Sequence, residues 1–581
     1  MSYALVLQEY LAQLKESGEL DELLPTLLSA MGFEMLTKPQ VGVRQYGSDL
    51  PAVGVDEDGS KKLFVFVIKC GDIGRHNWEM GKQAVRPSIN ELADVWFRTH
   101  VPAEFMALPR KVVLVTNGEI KQELTQNWTG FQADWHGAMR GELTFWGTSR
   151  LVKLIEEHLF DEFLFTAEAK SLLRRALATL DEPEASVAKF AEFAVATFDK
   201  ARGAKPKLAR SAARLVAVGL AIYVKWSTFE ANLRPALLAT ERTYLLMWNF
   251  LRGNSLQQDN EALRSLSHVH AELARIGFEW WGKFVPYYRT EGAFAARSPD
   301  AIFTNMHVFE HIGILSLQGL MWADLASRDA KAGESAELMA KELASLLDSH
   351  TISCTPAFDH QTIDILLGMI LLARTGRRAE AIAWLKELIR GVKFARQIGR
   401  YAPCSSDALE DLIAMRLARD LSVEKMTETS ILLPAIALLC AAMEQPELYA
   451  ALLEHVVPRF EGTTLQVWHP DATYEDRLDC REDLPWTYGI SEAPYPLPDS
   501  FEEFKRLVGL RPAGAPDDTH FDFAKHGLTW LPLIASRTYR GPIPTWFVLQ
   551  AAIDRSGTVG GGSVPPNAAP AKRGRKGKPA H

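Results

Sequence analysis

The stretch VRQYGSDLPAVGVDEDGSKKLFVFVIKCGD, residues 43–72, decides the fold. Leu63–Lys69 is built from β-branched, aromatic and other apolar residues and is strongly strand-forming. Asp49–Val55 reads as a second strand, and the segment between them carries the turn signal Asp58-Gly59. A hairpin results, with Asp49 opening its first strand and Lys69 closing its second. Upstream, Leu20, Leu23, Leu24, Leu27, Leu28 and Met31 recur at helical spacing, and Gly32 follows as a stop, so residues 1–35 are expected to be mostly helical. Downstream, a helix is expected within Glu79–Thr99, broken or begun at Pro87. A short buried strand at Lys111–Thr116 ends in the turn Asn117-Gly118. A helix over Glu119–Trp128, a strand at Leu143–Trp146 and a helix over Ser149–Leu159 complete the unit. The order is that of a compact α/β domain, a central mixed sheet flanked by helices.

Hydrolysis of a phosphodiester calls for carboxylates that hold Mg²⁺ or Mn²⁺, helped by a lysine that stabilises developing charge or orients the attacking water. One economical layout places an Asp on one strand and an acid-x-Lys on the next, where strand alternation turns the acid and the lysine to one face. Asp49 and Lys69 stand in that order across the hairpin. Each alone has a plainer reading. Asp49 after Tyr46-Gly47-Ser48 fits a turn residue bonded to nearby backbone N–H groups, and Lys69 fits a solvated guard on a sheet edge.

The segments LDELLPTLLSAMGFEML, VRQYGSDLPAVGV and LFVFVIKCGD, followed by RKVVLVTNGEIKQEL and LTFWGTSRLVKLIEEHL, resemble the Mrr-type branch of the PD-(D/E)XK restriction-endonuclease-like superfamily. The resemblance covers about residues 15–160. It implies a restriction-endonuclease-like domain with Asp49 as the family aspartate and Lys69 as the family lysine. Asp21 or Glu22 takes the place of an acid on the first helix. One position departs from the pattern: the acid of acid-x-Lys falls on Val67. Asp21, Glu22, Asp72 and Glu79 are the acids available to replace it beside Asp49, with Gln45 and Gln83 as supporting groups. Two functions follow. The first is a metal-dependent DNA endonuclease. The second is a catalytically degenerate nucleic-acid-binding or scaffold protein that keeps the fold.

Beyond the nuclease-like domain, placed at residues 1–162, the pattern turns helical. Residues 163–555 are expected to form a large all-α, irregular helical-repeat-like domain that targets or regulates the first. Nuclease domains joined to large helical regions resemble bacterial restriction and anti-phage effectors, which implies a protein partner or trigger. His307-Val308-Phe309-Glu310-His311 has the H-x-x-E-H spacing of inverted zincins, on a stretch that also reads as a packed apolar face. Arg374, Arg377 and Arg378, and the run Lys205–Arg214, are either solvated faces or a phosphate-binding groove. The aromatic stretch 465–498 is either a ligand pocket or partner surface or, the more common case, an elaborated helical cap.

The net charge of −8 argues against general coating of nucleic acid, though it leaves room for a local basic groove. The amphipathic start lacks the features of a signal peptide, the apolar runs are short for a membrane span, and the five cysteines are scattered. A cytoplasmic protein without membrane association is expected. Residues 556–581 are rich in Gly, Pro and Ala, then basic, and are expected to be disordered. Lys572, Arg573, Arg575, Lys576 and Lys578 there are candidate DNA-phosphate contacts. Each phosphate neutralised adds about 0.9 to the log-log salt slope of duplex binding. Deleting residues 556–581 should therefore flatten that slope in a DNA-binding titration, and an unchanged slope would mark the tail as inert.

Overall fold

The computed structural model describes residues 3–36, 47–80, 84–159, 165–298, 300–326, 329–398, 403–406, 408–418, 426–479, 489–510, 512, 514–516 and 518–553. Gln45, Gln83 and the basic residues of the tail lie outside them. The chain divides into two compact units, Met1–Ile276 and Gly277–His581.

The first unit opens with α1 (Tyr3–Gln13), a π-turn (Glu16–Leu20) and α2 (Asp21–Ala30). Gly32, at φ +88°, ends α2 by letting the Phe33 N–H turn back to the Leu28 carbonyl. Five strands follow: β1 (Glu34–Met35), β2 (Leu50–Val55), β3 (Lys61–Lys69), β4 (Arg110–Thr116) and β5 (Glu142–Trp146). They lie in sequence order, with β1–β2–β3 antiparallel and β3–β4–β5 parallel. The connections carry α3 (Arg75–Glu79), α4 (Val85–Glu91), α5 (Phe97–Thr99), α6 (Thr125–Gly137) and, after β5, α7 (Thr148–His158). This is the mixed α/β sheet region that the hydrophobic pattern predicts. Pro87 sits in the first turn of α4, where its missing N–H costs no hydrogen bond.

The helix expected over Glu119–Trp128 begins later, at Thr125, after a 3-10 turn at Gln122–Leu124. The cause is a competing backbone pairing. The Ile73 N–H donates to the Glu119 carbonyl and the Lys121 N–H to the Ile73 carbonyl, which holds residues 119–121 extended.

Strand β3 is paired on both sides, which explains its unbroken apolar run. Leu63, Val65 and Val67 face a core shared with Val112, Leu114, Trp78 and Trp128. Phe64 and Phe66 stack on the opposite face, 6.0 Å between centroids, and meet Phe33 and Trp146. Gly54 lies under the Phe33 ring, where a Cβ would come within 2.5 Å of its edge.

The long helices α8 (Ala167–Ala178), α9 (Pro183–Ala201), α10 (Pro206–Phe229), α11 (Leu233–Gly253) and α12 (Asn260–Tyr288) follow, and the division between the units falls within α12. Helix α10 is long and apolar enough to cross a bilayer by length and composition, and 67% of its most apolar window is buried inside the protein. The second unit is again largely helical. It contains α13 (Ala301–Leu325), α14 (Ala330–Ser349), α15 (Thr362–Arg374) and α16 (Arg378–Ile398), then shorter helices and two two-stranded sheets.

Asn117, buried just past β4, joins the front of the chain to the sheet. Its Nδ2 donates to the carbonyls of Leu11 (2.8 Å) and Leu14 (2.7 Å) at the end of α1, and its Oδ1 accepts from the Gly71 N–H at 2.7 Å. Replacing Asn117 by Ala removes three hydrogen bonds. The Leu11 carbonyl keeps the Leu14 N–H and the Leu14 carbonyl keeps the Cys70 thiol, while the Gly71 N–H loses its acceptor, at a cost of about 1–3 kcal/mol for a buried group left unsatisfied. Hydrogen exchange should show α1 and residues 14–20 losing protection in Asn117→Ala while β3 and β4 keep theirs. Unchanged exchange over residues 3–20 would show that α1 docks without this side chain.

Candidate active site

Asp49 lies immediately before β2 and Lys69 ends β3, both half-buried. The Asp49 Oδ2 accepts from the Ile68 N–H at 2.7 Å, so the carboxylate is fastened to the neighbouring strand and not to its own turn. Lys69 sits on an interior strand, so it guards no sheet edge. The two charges act on each other. Burial pushes the Asp49 carboxyl above its ordinary range; Lys69 and the Ile68 N–H pull it down, and the charge of Asp21 adds to the rise.

Asp21 is the first residue of α2, the second α-helix of the chain. A further acid joins it. Glu16, at the start of the π-turn, also has a carboxyl raised by burial, pulled down by Lys69 and raised by Asp49 and Asp21. Glu16, Asp21, Asp49 and Lys69 thus form one electrostatic cluster at the carboxyl end of β3. Glu16 is not singled out by the sequence pattern. It sits in a stretch that reads as plain amphipathic helix, and only the π-turn brings it beside the strand ends.

The other predicted acids are placed otherwise. Glu22 has its side chain largely at the surface with its carboxyl partly shielded in a different cleft, where that partial burial and the charges of Asp21, Glu272 and Glu19 raise it. Asp72 accepts from the Glu119 N–H at 3.0 Å, and Glu79 pairs with Arg86 at 2.8 Å. Val67 is fully buried in the core beside Val65 and Leu114, so the position that could carry the missing acid is a packing position here.

A second acidic group stands at the other end of the hairpin. Asp56, Asp58 and Glu142 offer oxygens within 4.8 Å of one another, a set that can hold a metal ion. The buried Lys62 ammonium already sits among them, 2.6 Å from Asp56, 2.8 Å from Asp58 and 2.6 Å from Glu142. Lys111 adds a contact of 2.8 Å to Asp56. Lys62 and Lys111 together offset two of the three negative charges and occupy the space between the carboxylates.

The remaining motifs resolve into structure. In His307–His311, His311 is buried, and burial pushes it down to about 3. Its Nδ1 faces the Trp280 indole N–H at 3.0 Å and the Tyr288 hydroxyl at 2.9 Å, which ties that nitrogen to the core while His307 is exposed. Arg374 pairs with Asp324, Arg377 with Glu337 and Glu380, and Arg378 with the Met443 carbonyl. Arg210 forks onto Asp259, and burial lowers the ionisation range of Arg214. These arginines serve packing contacts.

Among the described residues, the carboxylates whose oxygens all lie within 4.8 Å of one another are Asp56, Asp58 and Glu142, and Glu16, Asp21 and Asp49 do not form such a set. No family model, curated protein or solved structure matches the chain.

Because the folded-state range of Asp49 is raised, its contribution to stability is fully present below the unfolded carboxylate range. It is lost as pH rises through the raised folded value. Asp49→Asn keeps an acceptor for the Ile68 N–H and removes the charge. Melting in EDTA should therefore show Asp49→Asn more stable than wild type at neutral pH, with the gap closing as the buffer is acidified. A neutral-pH melting temperature below that of wild type would contradict the burial penalty.

Proposed function

We propose that the α/β region is a metal-dependent nuclease domain of restriction-endonuclease-like type that hydrolyses DNA phosphodiesters. The observation that carries this reading is the grouping of Asp49, Lys69, Asp21 and Glu16 at one end of the hairpin, with Asp49 desolvated and fastened to β3. Asp49, Asp21 and Glu16 are the residues that would hold Mg²⁺ or Mn²⁺. Bound there, the ion would supply Lewis-acid polarisation of the phosphate and a more acidic water. Lys69 would donate to the phosphate or orient the water, a role suited to an ammonium held beside carboxylates at the mouth of a strand. Glu16 and Asp21 fill the place left by Val67, because they enter from the π-turn and α2.

The basic tail would add non-specific affinity for DNA, and the helical region would bind a partner or trigger, as in a restriction or anti-phage effector. The second reading, a degenerate scaffold, is favoured by the apolar burial of Val67 and by the spacing of Glu16, Asp21 and Asp49, whose oxygens do not all lie within 4.8 Å of one another.

Purified protein should nick or cut DNA with Mg²⁺ or Mn²⁺. Asp49→Ala, Lys69→Ala and Glu16→Gln should each lower the rate by about a hundredfold or more, the scale of losing a group that acts on the reacting atoms. Asp72→Ala and Glu79→Ala should leave it nearly unchanged. Wild-type protein that binds DNA but stays inert across divalent ions would establish the scaffold reading.

A further inference from the structure

Two acids of the candidate site, Glu16 and Asp21, belong to no strand. They ride on the π-turn and the first residue of α2. The turn is closed by i+5 bonds from the Leu20 N–H to the Lys15 carbonyl and from the Asp21 N–H to the Glu16 carbonyl. Such a turn is a rare backbone form and needs support from its surroundings. Asn117 supports it from upstream through the carbonyls of Leu11 and Leu14.

The second support is Glu19, inside the turn. One of its oxygens accepts from the Lys15 N–H at 2.8 Å, which closes the turn on itself. The same carboxylate receives the Lys225 ammonium at 2.9 Å and 3.1 Å. Lys225 belongs to α10, 206 residues further along the chain. Both side chains are 18% exposed, so the pair is shielded from the screening that makes surface pairs weak. It lines a small cleft of about 90 Å³ with Tyr10, Glu22, Glu272 and Arg275.

We propose that Lys225 is a positioning residue for the candidate active site: by clamping Glu19 it fixes the π-turn and so sets Glu16 and Asp21 opposite Asp49 and Lys69. The helices that follow the sheet thereby control the geometry of the metal-binding acids without touching the ion. This rests on the assignment of those acids as a metal site.

The test is Mn²⁺ binding to the full chain, by calorimetry or electron paramagnetic resonance, for wild type, Asp49→Asn, Lys225→Met, Lys225→Arg and Lys207→Met. Lys207 is an exposed lysine at the start of α10 and controls for loss of one positive charge. Lys225→Met should bind Mn²⁺ about tenfold more weakly or worse, the loss typical of removing a partner behind a metal ligand. Lys225→Arg should restore most of the affinity, and Lys207→Met should match wild type. Hydrogen exchange should quicken over residues 15–24 in Lys225→Met and stay as in wild type over β3.

If Lys225→Met does not fold, Glu19→Gln takes its place, since the amide keeps an acceptor for the Lys15 N–H and loses the charge. Wild-type affinity in Lys225→Met, or in Glu19→Gln where that variant stands in, with unchanged exchange over residues 15–24, overturns the proposal while leaving the metal site intact. Absence of Asp49-dependent Mn²⁺ binding in wild type overturns the metal site itself, and the positioning role with it.

Discussion

The side-chain amide of Asn117 is the joint on which the front of the molecule depends. Past β4 the chain could have made an ordinary turn. Instead the amide spends both donor directions on the end of α1 and its acceptor on the backbone just past β3. The carbonyls of Leu11 and Leu14 at this helix end each have a second partner, the Leu14 N–H and the Cys70 thiol, and the amide adds a stronger bond to each from the sheet. The π-turn that follows α1 therefore starts from a fixed point beside the carboxyl ends of the central parallel strands. In open α/β sheets that edge is where ligands commonly bind, because loops and helix ends converge there.

What converges here is charge. Glu16, Asp21 and Asp49 bring three negative charges to one half-buried place, and Lys69 brings one positive charge. Burial and mutual repulsion raise Glu16 and Asp49, so the protein holds them at a cost that packing elsewhere must offset. The contrast with the other end of the hairpin is instructive. There Asp56, Asp58 and Glu142 close on Lys62 and Lys111, and the ionisation ranges of Asp56 and Asp58 fall instead of rising. One acidic group is largely compensated by two lysines in direct contact, and the other keeps the larger excess of negative charge with Lys69 alone beside it. That difference, more than the number of carboxylates, separates a structural ion network from a candidate cation site.

The sheet was legible because its strands are nearly all apolar or bounded by strong turn signals. Leu63–Lys69 and Lys111–Thr116 are read within a residue or two of their ends, and Gly32 marks the stop of α2. That Asp49 and Lys69 stand at the same end of the hairpin was legible from order alone, since an antiparallel pair brings those strand ends to one side of the sheet. Three features were not. Glu16 depends on a π-turn, for which no residue pattern exists. The late start of α6 depends on the pairing of Ile73 with residues 119–121, a contact across more than forty positions. Arg374, Arg377 and Arg378, around the turn between α15 and α16, look like a basic patch in sequence, yet each meets a distant acid or carbonyl that spacing cannot reveal.

Val67 makes sense in the same terms. A strand covered on both faces gains most from apolar side chains, and Val67 contributes a fully buried one to a core that includes Trp78 and Trp128. An acid at that position would face the packing core and carry a desolvation cost of several kcal/mol unless paired. In the proposed site the carboxylates on the π-turn and α2 avoid that conflict: the strand keeps its packing, and the acids belong to elements outside the sheet. The cost is rigidity, because a turn is held less firmly than a central strand. Asn117 upstream and the Lys225–Glu19 pair within the turn supply what the strand would have given without help. A site assembled this way is tied to whatever holds the turn, and here one of its two supports comes from a helix beyond the sheet.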